Sequence, residues 1–174
     1  MKPPTRAGPA VVVMGVTGAG KTTVAAELSV RLGHVCLDAD VLHPAANIAK
    51  MRSGVPLTDA DRAPWLDAVA HWIDANPHSV IACSALRRRY RDRLRAARTP
   101  VWFAHLDPPP DVLRDRLRNR AGHFMPASLL PDQLATLEPL DRDEAGAAFH
   151  DVGDPARIAD AILTSIPGGL TVTS

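Results

Sequence analysis

The sequence predicts an α/β domain in which a parallel β-sheet is covered on both faces by helices. Three observations predict it. Short apolar runs alternate with amphipathic helical stretches along the chain. The first run, Ala10-Val11-Val12-Val13-Met14, is apolar throughout, as a strand buried on both faces must be. A glycine-rich loop, Gly15 to Thr22, joins that run directly to a helical stretch. At 174 residues the chain is long enough for one domain with a sizeable core.

The loop comes first because it carries chemistry. Gly15-Val16-Thr17-Gly18-Ala19-Gly20-Lys21-Thr22 fits G-x-x-x-x-G-K-[ST], the phosphate-binding loop of P-loop NTPases. Glycine at 15, 18 and 20 permits dihedrals that a Cβ would obstruct, so the loop can turn its N–H groups inward around a polyphosphate. The helix N-terminus behind it adds partial positive charge. Lys21 would reach the β/γ-phosphates, and the Thr22 hydroxyl would ligate Mg²⁺. Strand, loop and helix in this order are the context the motif needs.

The remaining elements follow in order. Met1 to Pro9 reads as a loose tail; its charge and three prolines do not make a secretory signal. After the loop, Val24, Ala25, Leu28 and Leu32 share one helical face, and Gly33 ends the helix. His34 to Asp38 is the second strand and stops at the acidic pair Asp38 and Asp40. Pro44 opens a short helix through Met51. Thr58 and Asp61 form a capping box for the next helix, which Pro64 should kink and which ends near Asn76-Pro77. Ser79 to Cys83 is the third strand, and Leu86 to Arg98 a helix with Arg87, Arg91, Arg95 and Arg98 on one face. Val101 to Leu106 is the fourth strand, followed by a helix over Pro109–Arg120. Leu129 to Leu137 is a short helix, Ala147 to Val152 a fifth strand, and Pro155 to Ile166 the last helix; 167–174 reads as frayed. Cys36 and Cys83 fall inside strands, where a reduced, buried, cytosolic pair is expected.

Composition narrows the function. A net charge of +1 gives no global field for nucleic acid or an anionic membrane, and no apolar run approaches membrane-spanning length. The third strand ends in Cys83-Ser84 without an acid, so the Walker-B aspartate of motor and transporter ATPases is missing, and no Asn-Lys-x-Asp marks a GTPase. The acids instead follow the second strand. In an extended segment Asp38 and Asp40 point the same way, so one can hold an acceptor hydroxyl and the other support Mg²⁺; the alternative is a helix cap plus a solvated acid. Arg116 and Arg120 are placed to bring positive charge over the phosphates ahead of a glycine-hinged stretch, as a closing lid requires.

At this point the residues resemble a known family. Asp38-Ala39-Asp40-Val41-Leu42-His43-Pro44, Asn47, Lys50-Met51, Gly54-Val55-Pro56-Leu57 and Asp61-Arg62-Ala63-Pro64-Trp65-Leu66 are similar to the long signature of gluconokinases of the small P-loop type. Cys83-Ser84-Ala85-Leu86 with Tyr90-Arg91-Asp92 resembles its next block. Gly122-His123-Phe124-Met125, Leu129-Leu130, Gln133 and Leu137-Glu138-Pro139-Leu140 resemble its lid region, which would span about 114–131.

The resemblance implies a shikimate-kinase-like fold with five parallel strands in the order 2-3-1-4-5. It implies ATP-dependent phosphorylation of D-gluconate at its 6-hydroxyl by a cytoplasmic enzyme, commonly a homodimer. Gly15 to Thr23 would hold MgATP, with Lys21, Asp40 and Arg120 catalytic, Arg116 and Arg120 over the phosphates, and Thr22 and (through water) Asp38 on Mg²⁺. For gluconate the candidates are Asp40, His43, Lys50, Arg62, Arg91 and His123, with Arg62 first choice for the carboxylate. Blander readings stay open: His43 as a helix cap, Arg91 on a solvated face, His123 as a hydrogen-bonding residue of the lid. Rival functions are a related P-loop kinase such as shikimate kinase, a nucleic-acid patch at Arg87 to Arg93, and an ATP-binding regulator without activity. Asp92 and low aromatic content argue against the second, and the intact Lys21, Thr22 and acid pair against the third.

Overall fold

A computed structural model describes residues 8–119, 127–151 and 153–170. Five parallel strands, β1 (Ala10–Met14), β2 (Val35–Asp38), β3 (Ser79–Ala82), β4 (Val101–Leu106) and β5 (Gly146–Phe149), form one sheet in the order β2-β3-β1-β4-β5. That is the order the resemblance implies. β1 is central, pairing Val12 with Ile81 on one side and with Phe103 on the other.

The seven helices among the described residues are α1 (Lys21–Leu32), α2 (Ala45–Arg52), α3 (Asp59–Ala75), α4 (Arg88–Arg95), α5 (Pro110–Arg118), α6 (Leu130–Thr136) and α7 (Pro155–Ser165). The two-residue period of a strand divides the core between the sheet's faces. Val11 and Val13 pack with Val24 and Leu28 of α1 and Ile158 and Ile162 of α7. Ala10, Val12 and Met14 pack with Trp65, Val69 and Ile73 of α3 and Tyr90 and Leu94 of α4. Every residue of β1 is fully buried, so each valine there contributes roughly 1.5–3 kcal/mol of burial.

Several expectations change. α4 is shorter than Leu86–Arg98: Ala85 adopts φ 44°, Arg87 is extended as the N-cap, and Pro100 disfavours helix just before it. α3 runs through Pro64 as one continuous helix, opened by the Thr58–Asp61 capping box. Cys36 is exposed rather than buried, because β2 is an edge strand whose residues are only partly covered; Cys83 is buried, and both thiols are free. The C-terminal stretch is packed as far as Leu170, which lies against the core. Asp38 and Asp40 do not share an extended segment: a 3₁₀ turn at Ala39–Leu42 begins between them.

Candidate active site

The P-loop leaves the carboxyl end of β1, the rim on which open α/β sheets bind ligands. Gly15 has φ +146°, and a Cβ there would stand 2.6 Å from the Leu106 carbonyl oxygen; Gly20 has φ +96° and leads into α1. Lys21 folds back along the loop, its Nζ donating to the Val16 carbonyl at 2.9 Å. Arg116, from α5, donates to the carbonyls of Gly18 and Ala19 at 3.2 Å each. Beside the loop a groove of about 460 Å³ is lined by Gly20, Thr23, Arg116, Asn119, Gly153 and Pro155.

Asp38 joins the two acids to the loop. Its Oδ2 accepts from the Thr22 hydroxyl at 3.0 Å, and its Oδ1 accepts the backbone N–H of Asp40 at 3.0 Å, capping the 3₁₀ turn. This cap aims Asp40 into a cavity of about 290 Å³ on the other side of the loop. Burial raises the Asp40 carboxyl to about 6; the neighbouring Asp38 charge adds to the rise and Lys21 offsets part of it.

His43 and Trp65 form one wall of the cavity. Their rings stack at 4.1 Å, the indole Nε1 donates to the Ala39 carbonyl at 2.8 Å, and His43 Nδ1 lies 3.2 Å from the Asn47 amide nitrogen. Burial, then the Arg62 charge, lowers the imidazole to about 4. His43 is therefore neutral at physiological pH, and its Nε2, 3.8 Å from Asp40, is not an ion-pair partner. Arg62, Arg87 and Arg89 bring positive charge to the cavity, Asp59 and Asp132 negative charge, and Ser84, Thr58 and Gln133 neutral polar groups.

A family model described as an AAA domain matches residues 11–140. The chain is 54% identical over 138 residues to a gluconokinase of Gluconobacter oxydans (strain 621H), covering 77% of this chain and 78% of that protein. The chain belongs to the gluconokinase family. It is also 43% identical over 148 residues to the thermoresistant gluconokinase of Escherichia coli (strain K12), covering 83% of this chain and 85% of that one. Among solved structures, a gluconokinase from Sinorhizobium meliloti 1021 matches with a TM-score of 0.84 at 40% identity, covering 92% of this chain and 93% of that one. A shikimate kinase from Acinetobacter baumannii, 19% identical over 90% of this chain and 92% of its own, matches with a TM-score of 0.60, a likeness of fold.

Against this gluconokinase frame the sequence candidates divide. The P-loop residues, Thr22, Asp38 and Arg116 come together on one side, and Asp40, His43 and Arg62 line the cavity. Arg120 and His123 lie outside the described residues. Lys50 is a correction: its ammonium is held by both oxygens of Asp61 at 2.9 and 2.8 Å, and it does not line the cavity. Arg91 is another. It is fully buried, and its guanidinium donates twice to Glu144 and once each to the carbonyls of Ala85, Glu138 and Pro139, so it has no donor left for a ligand and is on no solvated face. Arg87, Arg89, Ser84 and Gln133 line the cavity as well, beyond the residues the sequence points to. Gln133 stands inside the resemblance, and Arg87 and Arg89 inside a run of like charge whose members no local signal tells apart.

Proposed function

We propose that this protein transfers the γ-phosphoryl group of ATP to the 6-hydroxyl of D-gluconate, giving 6-phospho-D-gluconate and ADP. The observation that carries the reading is Asp40: a carboxylate raised to about 6, lining an acceptor-sized polar cavity beside a P-loop. The P-loop and Lys21 hold the polyphosphate, and the groove by Thr23 and Asn119 takes the nucleoside. Asp40 accepts the proton of the attacking hydroxyl and is ionised enough at neutral pH to do so. Neutral His43 donates or accepts a hydrogen bond without competing for that proton.

Mg²⁺ fits the residues present. Thr22 and Asp38 offer hard oxygens 3.0 Å apart, and among the described residues no group of three or more His, Cys, Asp or Glu side chains could hold a metal. A cation that keeps its waters and leans on phosphate oxygens needs no more. When bound it neutralises developing charge on the phosphoryl oxygens. Asp38 and Thr22 would hold it, Asp38 through water.

Among the described residues no helix is long and apolar enough to cross a membrane. The same reading has the enzyme working in the cytoplasm as a homodimer, which sedimentation equilibrium tests. The activity is tested by ADP release with gluconate, shikimate and nucleoside monophosphates offered in turn, and the product's phosphorus position by NMR. Gluconate alone should support turnover; release with shikimate instead would transfer the assignment to that class.

A further inference from the structure

Three arginines line the acceptor cavity, and two of them are engaged. Arg62 donates through Nη1 to the Leu57 carbonyl and to the Tyr90 hydroxyl, and its guanidinium lies 5.3 Å from the Tyr90 ring centre. Arg89 pairs with Asp59, which also accepts from the Tyr90 hydroxyl. The Arg87 guanidinium has neither a hydrogen-bond nor an ion-pair partner among the described residues, and its Nε is buried. A buried donor without an acceptor costs about 1–3 kcal/mol, and native structures rarely leave one unexplained.

The backbone holds Arg87 in place on both sides. Before it, the Ser84 carbonyl accepts from Gly15 N–H at 3.3 Å, and the Ala85 carbonyl, at the φ 44° turn, accepts from Arg91 at 3.0 Å. After it, the Arg88 N–H donates to Glu138 at 2.7 Å. The nearby acid, Asp59, is already taken by Tyr90 and Arg89. A guanidinium that lines a polar cavity from a well-held backbone, with an Nε that solvent does not reach, suits a planar anion that accepts two parallel hydrogen bonds.

On the reading that the acceptor is gluconate, we propose that Arg87 holds its carboxylate. Arg87, rather than Arg62, then sets the preference for a six-carbon aldonate over the neutral polyol of the same length. Arg62 braces the wall through Leu57 and Tyr90.

The experiment measures binding and turnover of D-gluconate and of D-glucitol, the uncharged counterpart, by wild type, Arg87→Ala, Arg87→Gln and Arg62→Ala, with thermal melts to confirm folding. Arg87→Ala and Arg87→Gln should each weaken gluconate by roughly 10- to 100-fold, the worth of a charged hydrogen-bonded contact. Both should leave glucitol affinity and the KM for ATP within about twofold, so that discrimination collapses. Arg62→Ala should leave the gluconate-to-glucitol ratio intact. Equal loss of both acceptors in the Arg87 variants, a collapsed ratio in Arg62→Ala, or a wild type that binds both acceptors alike would overturn the assignment. A wild type that turns over shikimate and not gluconate would instead sink the functional reading beneath it.

Discussion

The backbone N–H of Thr17 donates to Gln133 Oε1 at 2.7 Å. Thr17 belongs to the P-loop and is almost fully buried, while Gln133, on α6, also lines the acceptor cavity. One side chain thus touches both halves of a two-substrate site. Gln133→Leu keeps the bulk and removes the acceptor, leaving a buried N–H unpaired at about 1–3 kcal/mol. The KM for ATP should rise roughly tenfold in steady-state kinetics, with gluconate affected in the same variant. A variant indistinguishable from wild type would show that the contact does not support the loop.

Asp40→Asn should retain ATP binding and lose turnover by at least about a hundredfold, as removal of a general base does. In the wild type, kcat/KM should fall tenfold per unit as pH drops below about 6, because the carboxylate must be ionised. Near-normal turnover in the variant would remove Asp40 from the chemistry.

The same residue predicts a stability effect of opposite sense. Its folded pKa lies above the ordinary aspartate value, so the folded chain holds that proton more tightly than the unfolded one. Below about pH 4 the wild type carries no penalty from Asp40; as pH rises through about 6 the penalty develops. Asp40→Asn should therefore be more stable than wild type at pH 7.5, by on the order of 3 kcal/mol, and the gain should vanish near pH 4. Thermal melts across pH decide it, and a gain that persists at pH 4 would need another cause.

Arg91 and Glu144 form a fully buried ion pair at 2.7 Å that ties α4 to the segment before β5. Burial works against the Glu144 charge, yet Arg91, the Asp141 N–H and Arg95 hold its carboxyl below the usual range. Arg91→Met should cost about 3–5 kcal/mol, since it strands a buried carboxylate, and lower Tm by roughly 10 °C. Arg91→Lys should recover only part, because an ammonium cannot reproduce the guanidinium's five-donor pattern.

Lys50→Ala should leave the KM for gluconate within about twofold of wild type, since Asp61 and not the cavity holds that ammonium. A large rise would restore Lys50 to the acceptor site.

What the sequence made legible was local. The P-loop is a contiguous motif, and Thr58 with Asp61 spells out its capping box in four residues. Even the acid pair was visible, though the 3₁₀ turn that separates their roles was not. What stayed hidden depends on distant partners. Arg91 looks like one more member of a basic helix face until Glu144, 53 residues away, takes its guanidinium. Arg87 is singled out by a buried Nε without an acceptor while Arg62 and Arg89 are engaged, a difference no local pattern announces. Cys36 reads as buried because a strand's pattern does not say whether it lies at an edge.

Asp61 does more than cap its helix. Its carboxylate takes the Thr58 N–H and the Lys50 ammonium, and its carbonyl accepts from Asn47, whose amide also meets His43. α2 is in this way fastened to the first turn of α3, and the His43–Trp65 wall stands on both. That half of the acceptor pocket is prefabricated: its ordering entropy is spent when the chain folds, not when the sugar acid arrives. Binding then selects by shape against a surface already set.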